Sequence, residues 1–493
     1  RVNESLLTNT GNNSAISLKA SLLRKLGRTG EAIQMISGPA SGDPLDFRLG
    51  NELYLLSGRS GDNAKTAMAL ESLKVKMRDN VQNYLELAAS YLNDGFIDEA
   101  EDVLKRFPGK NPLVSYYLGY ISHTKGNRDE AAKLFREGSA LPVDYVFPFR
   151  LETADVLKVV SEYFPGDARP WYYLGNLLYD RQPARAIEAW ERSVSLNPTL
   201  AVAHRNLGWG YYRHQGDGTK AIASYEKAIS LNRNEPVYYE ELDALYEMSN
   251  SPVSKRLALF EGNNDIVSVR DDAFARQITV LTLAGKAGEA VEYLEGKQFS
   301  YREGSSRVRD IMIDAHLMLG SKFMAEKNYS KALEQFIKAQ VPEEEAGGSR
   351  LGNRNYQVDY FIGSAYQAMG SRSKARQWFQ MSTAREAMGS SYIRYYQGLS
   401  WMALGNSREA EKAFNDLITE GDRQINRSES RDVDFFAKFG EREAENARLS
   451  NAYLLKGLGY KGLGKVSEAR ENLQRATELS SASLYAKAEL EGL

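Results

Sequence analysis

The stretch Trp171–Pro198, WYYLGNLLYDRQPARAIEAWERSVSLNP, decides the fold. Apolar residues recur at helical spacing over WYYLGNLLY, and the pattern resumes after a short polar break. Gly175 lies on the first of these two helices. Ala186 follows eleven residues later and Trp190 four beyond that, both on the second. A small residue on each helix lets the two backbones approach closely, and the large residue fills the space beside them.

The same arrangement returns along the chain with a regular step of twelve plus four. It appears as Ala20/Ala32/Ile36, Ala88/Ala100/Leu104, Gly119/Ala131/Phe135, Gly320/Ala332/Phe336, Gly363/Ala375/Phe379, Gly398/Ala410/Phe414 and Gly457/Ala469/Leu473. Gly208/Ala221/Tyr225 fits with one residue more in the turn, as Gly175/Ala186/Trp190 fits with one fewer. Seven residues past the small position, six of the seven regular units carry a further glycine: Gly27, Gly95, Gly126, Gly370, Gly405 and Gly464. Glycine ends a helix there because the left-handed conformation costs it no Cβ clash. Each unit is therefore helix, glycine turn, helix.

This periodicity disposes of a competing motif. Gly457-Leu-Gly459-Tyr-Lys-Gly462 completes a GxGxxG, the pattern of a dinucleotide-binding loop. Such a loop must follow a strand and open a helix, whereas ENARLSNAYLLK before it reads as helix. Gly457 is the small packing residue and Gly464 the helix stop, so only Gly459 and Gly462 are left over. No cofactor is expected.

Composition narrows the rest. The 493 residues carry 63 basic and 65 acidic side chains, net −2, which leaves no electrostatic footprint for nucleic acid. No run approaches the roughly 18 apolar residues of a membrane span. With no cysteine, disulfides, thiolate nucleophiles and cysteine metal sites are excluded, and an exported protein fits slightly better than a cytosolic one. The opening RVNESLL, without Met, reads as a mature or truncated product. There are four histidines and no HExxH or zinc spacing; His204 and His316 are expected as packing residues, in place of an aromatic. No nucleophile elbow or phosphate loop is present, so the chain is expected not to be an enzyme.

The spacing resembles tetratricopeptide repeats, carried by Trp171, Leu174-Gly175, Ala186, Trp190 and Pro198, then Leu207-Gly208, Tyr211, Ala221, Tyr225 and Ala228. The resemblance implies an all-α solenoid, a right-handed superhelix of about twelve helix–turn–helix units. The expected layout is N-terminal repeats over 1–140, a connecting segment with an added helix over 141–170, and an array over 171–420 with long loops at 296–309 and 342–355. An extended helix and last repeat then occupy 421–493. DYVFPFRLE, AHRNLGWGYYRHQGD and DFFAKFGE further resemble the C-terminal half of bacterial proteins whose N-terminal half is a β-rich domain of unknown function. In FSYREG, Phe299, Glu303 and Gly304 match that family's Phe-x-x-Trp-Glu-Gly, with Arg302 in place of Trp.

By resemblance to the repeat family, the residues three before the small position, and one and four after it, line the concave face. This gives Tyr116, Tyr120 and His123; Tyr172, Asn176 and Tyr179; Arg205, Trp209 and Tyr212; and Tyr360, Ser364 and Gln367. Tyr, Trp and Arg often dominate binding surfaces. Asn176 stands where peptide-clamping members of the family hold a ligand backbone. The loops add Tyr145, Phe147, Phe149, Phe299, Tyr301, Arg302, Glu303, Arg307, Arg350 and Arg354. The expected function is a non-catalytic scaffold that binds a protein or peptide, docking a partner domain of the same larger bacterial protein. The alternative is the accessory half of a carbohydrate-active or other enzyme whose β domain is absent.

Overall fold

A computed structural model describes residues 1–297, 306–340, 352–384, 391–426 and 445–493. Among these residues the regular structure is helical throughout, with no strand. The chain divides into two compact units, Arg1–Gly216 and Asp217–Leu493. Most of the residues expected as long loops at 296–309 and 342–355 lie outside the described residues, and helices begin at Ser306 and Gly352.

Local chemistry sets the helix ends. Asn12, Asp46, Asp62 and Asn111 each accept a backbone N–H of the first turn, satisfying donors that the helix leaves open. At the other end, the glycine seven residues past the small position takes positive φ, as at Gly126 (+84°) and Gly370 (+78°). The seventh regular unit, that of Gly320, has Lys327 instead, and Lys327 adopts the same geometry at φ +60°. The turn shape is thus imposed by the repeat even where the residue resists it.

Within each repeat the pattern of small and large residues is the contact itself. A Cβ placed on Gly363 would sit 2.7 Å from the Phe379 ring, and one on Gly457 would sit 2.6 Å from Leu473 Cγ. Gly175, Gly320 and Gly398 are closed off in the same way by Trp190, Phe336 and Phe414. The GxGxxG lies inside the helix Glu445–Gly462. Its two extra glycines admit the preceding helix: a Cβ on Gly459 would meet the Phe414 carbonyl oxygen at 2.6 Å, and one on Gly462 the Phe414 ring.

Each unit also contains a buried ionic network that the periodicity does not announce. In the first, Arg24 (3% exposed) bonds Glu52 at 2.8 Å and Glu99 at 2.8 Å, while Lys25 pairs Glu99 at 2.7 Å. Tyr91 and Ser21 both donate to Glu52, and Arg48 lies 3.6 Å over the Tyr91 ring. Burial pushes the Glu99 carboxyl up, but Lys25 and Arg24 prevail and hold it below its ordinary value. In the second unit Arg256 and Asp243, both fully buried, form a two-pronged pair with both bonds at 2.8 Å.

The second unit closes on itself. After the helix Val466–Leu479 the chain turns so that Ser481 N donates to Asn250 Oδ1 at 2.6 Å and Ser481 Oγ to the Ser251 carbonyl at 2.9 Å. The final helix, Leu484–Glu491, then lies against the first helices of several earlier repeats.

Candidate functional site

The candidate residues of the 171–216 region form a connected polar and aromatic cluster. The helices Arg169–Leu178 and Ala201–Gly210 supply most of them. Tyr172 is buried at 5% exposure, and burial raises its hydroxyl pKa. Asn176 Oδ1 accepts from Trp190 Nε1 at 3.0 Å and from Asn206 Nδ2 at 2.9 Å, so this amide oxygen is committed to joining neighbouring helices. Tyr179 packs on the Trp190 ring at 5.2 Å and meets His214 edge-on at 5.1 Å; burial pushes its hydroxyl up to about 12. Arg205, Trp209 and Tyr212 are half-buried, and Arg205 Nη1 donates to Asn206 Oδ1 at 3.1 Å.

The extra residue in the Gly208-to-Ala221 step has a structural home. Tyr211–Gln215 forms a π-helical turn, ended by Gly216 at φ +65°. Such turns absorb a single inserted residue without ending the helix. At the position three before the small residue, Tyr116 and Tyr172 are buried, the former with its hydroxyl 3.0 Å from Ser139 Oγ, whereas Arg205 and Tyr360 are half-buried, Tyr360 standing 5.6 Å from Tyr396. His204 and His316 satisfy internal partners, Pro198 O at 3.0 Å and Gln335 Oε1 at 2.9 Å.

The segment between the helices Arg128–Ala140 and Thr153–Tyr163 presents a different face. Its side chains alternate. Val146 (4% exposed) and Pro148 point into the unit, whereas Tyr145, Phe147 and Phe149 are 88%, 70% and 73% exposed. Tyr145 stands in a turn at φ +58°, and beyond it exposed Phe147 and Phe149 alternate with buried Val146 and Pro148. The inner face is anchored by Val146 in the core, and the end by Arg150, which pairs Glu86 at 3.2 Å and Glu152 at 2.9 Å. Burial alone would raise the Glu152 carboxyl; hydrogen bonds from Arg150 and Asn93 hold it down at about 2. The exposed aromatic row is therefore held out by a fixed backbone.

Tyr301, Arg302 and Glu303 lie outside the described residues, as do Phe299 and Arg350. Arg354, expected in a contact loop, is instead buried at 8% exposure in the helix Gly352–Ala368, paired with Asp310 at 3.2 Å and Asp314 at 2.5 Å. It belongs to the interior because two carboxylates of the preceding repeat neutralise it there. Among the described residues, no group of three or more His, Cys, Asp or Glu side chains is placed to hold a metal ion. An open hollow of about 320 Å³ near Leu242 and Leu259 has its polar lining already paired, Glu226 with Tyr246 at 2.7 Å and Lys255 at 3.2 Å.

A tetratricopeptide-repeat family profile matches residues 85–142 and 176–236, and a second matches 450–483. Those stretches are tetratricopeptide repeats, and the fold is all-α. Solved structures similar to it include the P58(IPK) TPR domain, 12% identical over 92% of this chain and 99% of that one, with a TM-score of 0.24. The C-terminal part of a TPR repeat-containing protein from Cytophaga hutchinsonii is 15% identical over 60% and 94%, at 0.23. YrrB, titled a TPR protein with an unusual peptide-binding site, is 14% identical over 49% and 97%, at 0.19. The repeat fold is generally non-catalytic, and no helix of the described residues is long and apolar enough to cross a membrane.

Proposed function

We propose that this chain is a non-catalytic scaffold that docks a partner domain of the same larger bacterial protein, and that the aromatic row Tyr145, Phe147, Phe149 is the centre of the contact. The observation that carries the reading is that row's exposure on an anchored backbone. Each aromatic side chain buries about 150–250 Å² when covered, so the three amount to a patch of several hundred Å², the size at which a surface usually has a partner. The alternating display of exposed and buried side chains also suits a partner surface with pockets for alternate side chains.

The test is association between this chain and the polypeptide encoded upstream in its reading frame, expressed separately. Binding that is lost in Phe147→Ser/Phe149→Ser, with helicity unchanged, supports docking through the row. Binding that the double variant leaves intact removes the row from the interface, and halves that never associate remove the docking function. Tyr172, Asn176, Tyr179, Arg205, Trp209 and Tyr212, together with Tyr301, Arg302 and Glu303, are proposed as a secondary contact; Trp209→Ala reads their share.

A further inference from the structure

The helix Leu484–Glu491 does more than shield the end of the last repeat. Tyr485 is 5% exposed; its hydroxyl donates to Asp314 Oδ1 at 2.5 Å and accepts from Arg354 Nη2 at 3.1 Å. Its ring stacks on Tyr392 at 4.6 Å and 28°. Four residues on, on the same helical face, Glu489 accepts from the Tyr396 hydroxyl at 3.0 Å and pairs Lys461 Nζ at 2.9 Å. Between them Lys487 Nζ donates to the Leu283 carbonyl at 3.0 Å.

These partners sit on, or at the edge of, five different first helices: Asp271–Leu283, Ser306–Ala325, Gly352–Ala368, Ile393–Ala403 and Glu445–Gly462. A terminal cap needs to touch only the last of them. The contacts are also those of recognition: one phenol bridging an acid and a guanidinium, one carboxylate answering a lysine and a tyrosine. Without the helix Arg354 still keeps its pairs with Asp310 and Asp314. Eight residues are too few to stay helical alone in water, so this segment owes its form to the groove that holds it. Its tether is the polar turn Ser480-Ser-Ala-Ser483.

We propose that Leu484–Glu491 is a built-in ligand of this inner face. In exchange for it, the groove of Asp314, Arg354, Tyr392, Tyr396 and Lys461 takes a helical segment of a protein partner that presents a tyrosine and a glutamate four residues apart. A short tether keeps the resident helix at an effective concentration on the order of millimolar, so an outside helix enters only by binding more tightly or when the resident is weakened. This inference is independent of the aromatic row at 145–149.

The test uses the full chain and, as probe, a fluorescent peptide of residues 479–493. The double variant Tyr485→Ala/Glu489→Ala should bind the probe at least about tenfold more tightly than the unaltered chain, because its own helix no longer competes. A peptide carrying the same two substitutions should bind neither chain. Equal binding by both chains, or none by a folded double variant, overturns the proposal. Probe-independent dimerisation of the unaltered chain assigns the groove to a second copy and overturns the partner reading. If the double variant does not fold, hydrogen exchange on the unaltered chain decides. Amides of 484–491 that open before those of Val466–Leu479 support release, and amides that open only with Glu445–Gly462 sink it.

Discussion

The aromatic row at 145–149 and the aromatic cluster around Tyr485 use similar side chains to opposite ends. In the first unit the segment is non-helical, Tyr145 turns at φ +58°, and every second residue from 145 to 149 faces out, Tyr145, Phe147 and Phe149 being exposed. In the second unit the backbone is helical, and residues 485 and 489 share one face set against the first helices of other repeats. The difference lies in backbone period and in polar partners. Tyr485 finds an acid and an arginine for its hydroxyl, whereas phenylalanine at 147 and 149 offers nothing for such a network to hold. Aromatic content alone therefore does not distinguish a docking surface from a closed core; the period and the available partners do.

Two arginines make the contrast measurable. Arg354, with a side chain 10% exposed, ties the closing helix to its unit; Arg150, 34% exposed, ends the aromatic segment. Removing one partner of a buried pair leaves uncompensated charge, so Arg354→Ala should cost the second unit about 3–5 kcal/mol in denaturant unfolding. Arg150→Ala should cost the first about 0–1 kcal/mol, as for half-exposed pairs. Equal costs would mean that the aromatic segment is as deeply built in as the closing helix.

Buried carboxylates separate the units by the sign of their pH response. Glu99 is held below its ordinary value by Lys25 and Arg24, and its contribution is lost as pH falls through that depressed value. Asp359, on the same helix as Arg354, has Gln340 Nε2 at 3.2 Å as its hydrogen-bond donor, and burial pushes it up to about 7. The folded form then keeps a proton that the unfolded chain releases near 3.8, so stability falls as pH rises from there to about 7 and levels off above. Asp359→Asn should remove that slope, stabilising the second unit at pH 8 by about 1–4 kcal/mol and changing it little near pH 4. A variant whose advantage does not grow with pH would show that Asp359 is ionised in the folded chain.

What the sequence discloses follows the range of the interactions. The small, alanine and large positions are legible because their contacts close within one repeat, and so is the misleading GxGxxG, once Gly457 is placed in that register. The buried networks are not, because they join residues far apart with no period: Arg354 to Asp314 across one repeat, Tyr485 to Asp314 across 171 residues. At the candidate site, the aromatic identity of 172, 179 and 209 was readable, but the commitment of Asn176 to Trp190 and Asn206 was not. The alternation at 145–149 was readable as letters, yet only its anchoring by Val146 makes it a surface.

Lys327 tests how strictly the repeat imposes its turn. At φ +60° it pays the left-handed penalty that glycine avoids. Lys327→Gly should therefore stabilise the second unit by about 1 kcal/mol, and Gly126→Ala, at φ +84°, should destabilise the first by a similar amount. Thermal melts of both variants check this, and opposite signs are required. Two losses would mean that Lys327 is retained for contacts of its stem rather than tolerated at its turn.

The smallest expected change in stability is the most telling for function. Tyr145→Ser, Phe147→Ser and Phe149→Ser together replace three aromatic rings, a change that in a core would unfold the unit. On the exposed face they should alter unfolding free energy by no more than about 0.5 kcal/mol, because little is buried there to lose. The single neighbour Val146→Ser, 4% exposed, should cost about 1–3 kcal/mol by putting an unsatisfied hydroxyl into the core. The ranking of one inward substitution above three outward ones follows from the alternation and from nothing in composition. If the triple variant instead destabilises the first unit by more than Val146→Ser does, the rings fold back on their own repeat. The row is then part of the core, and the docking surface must be sought elsewhere.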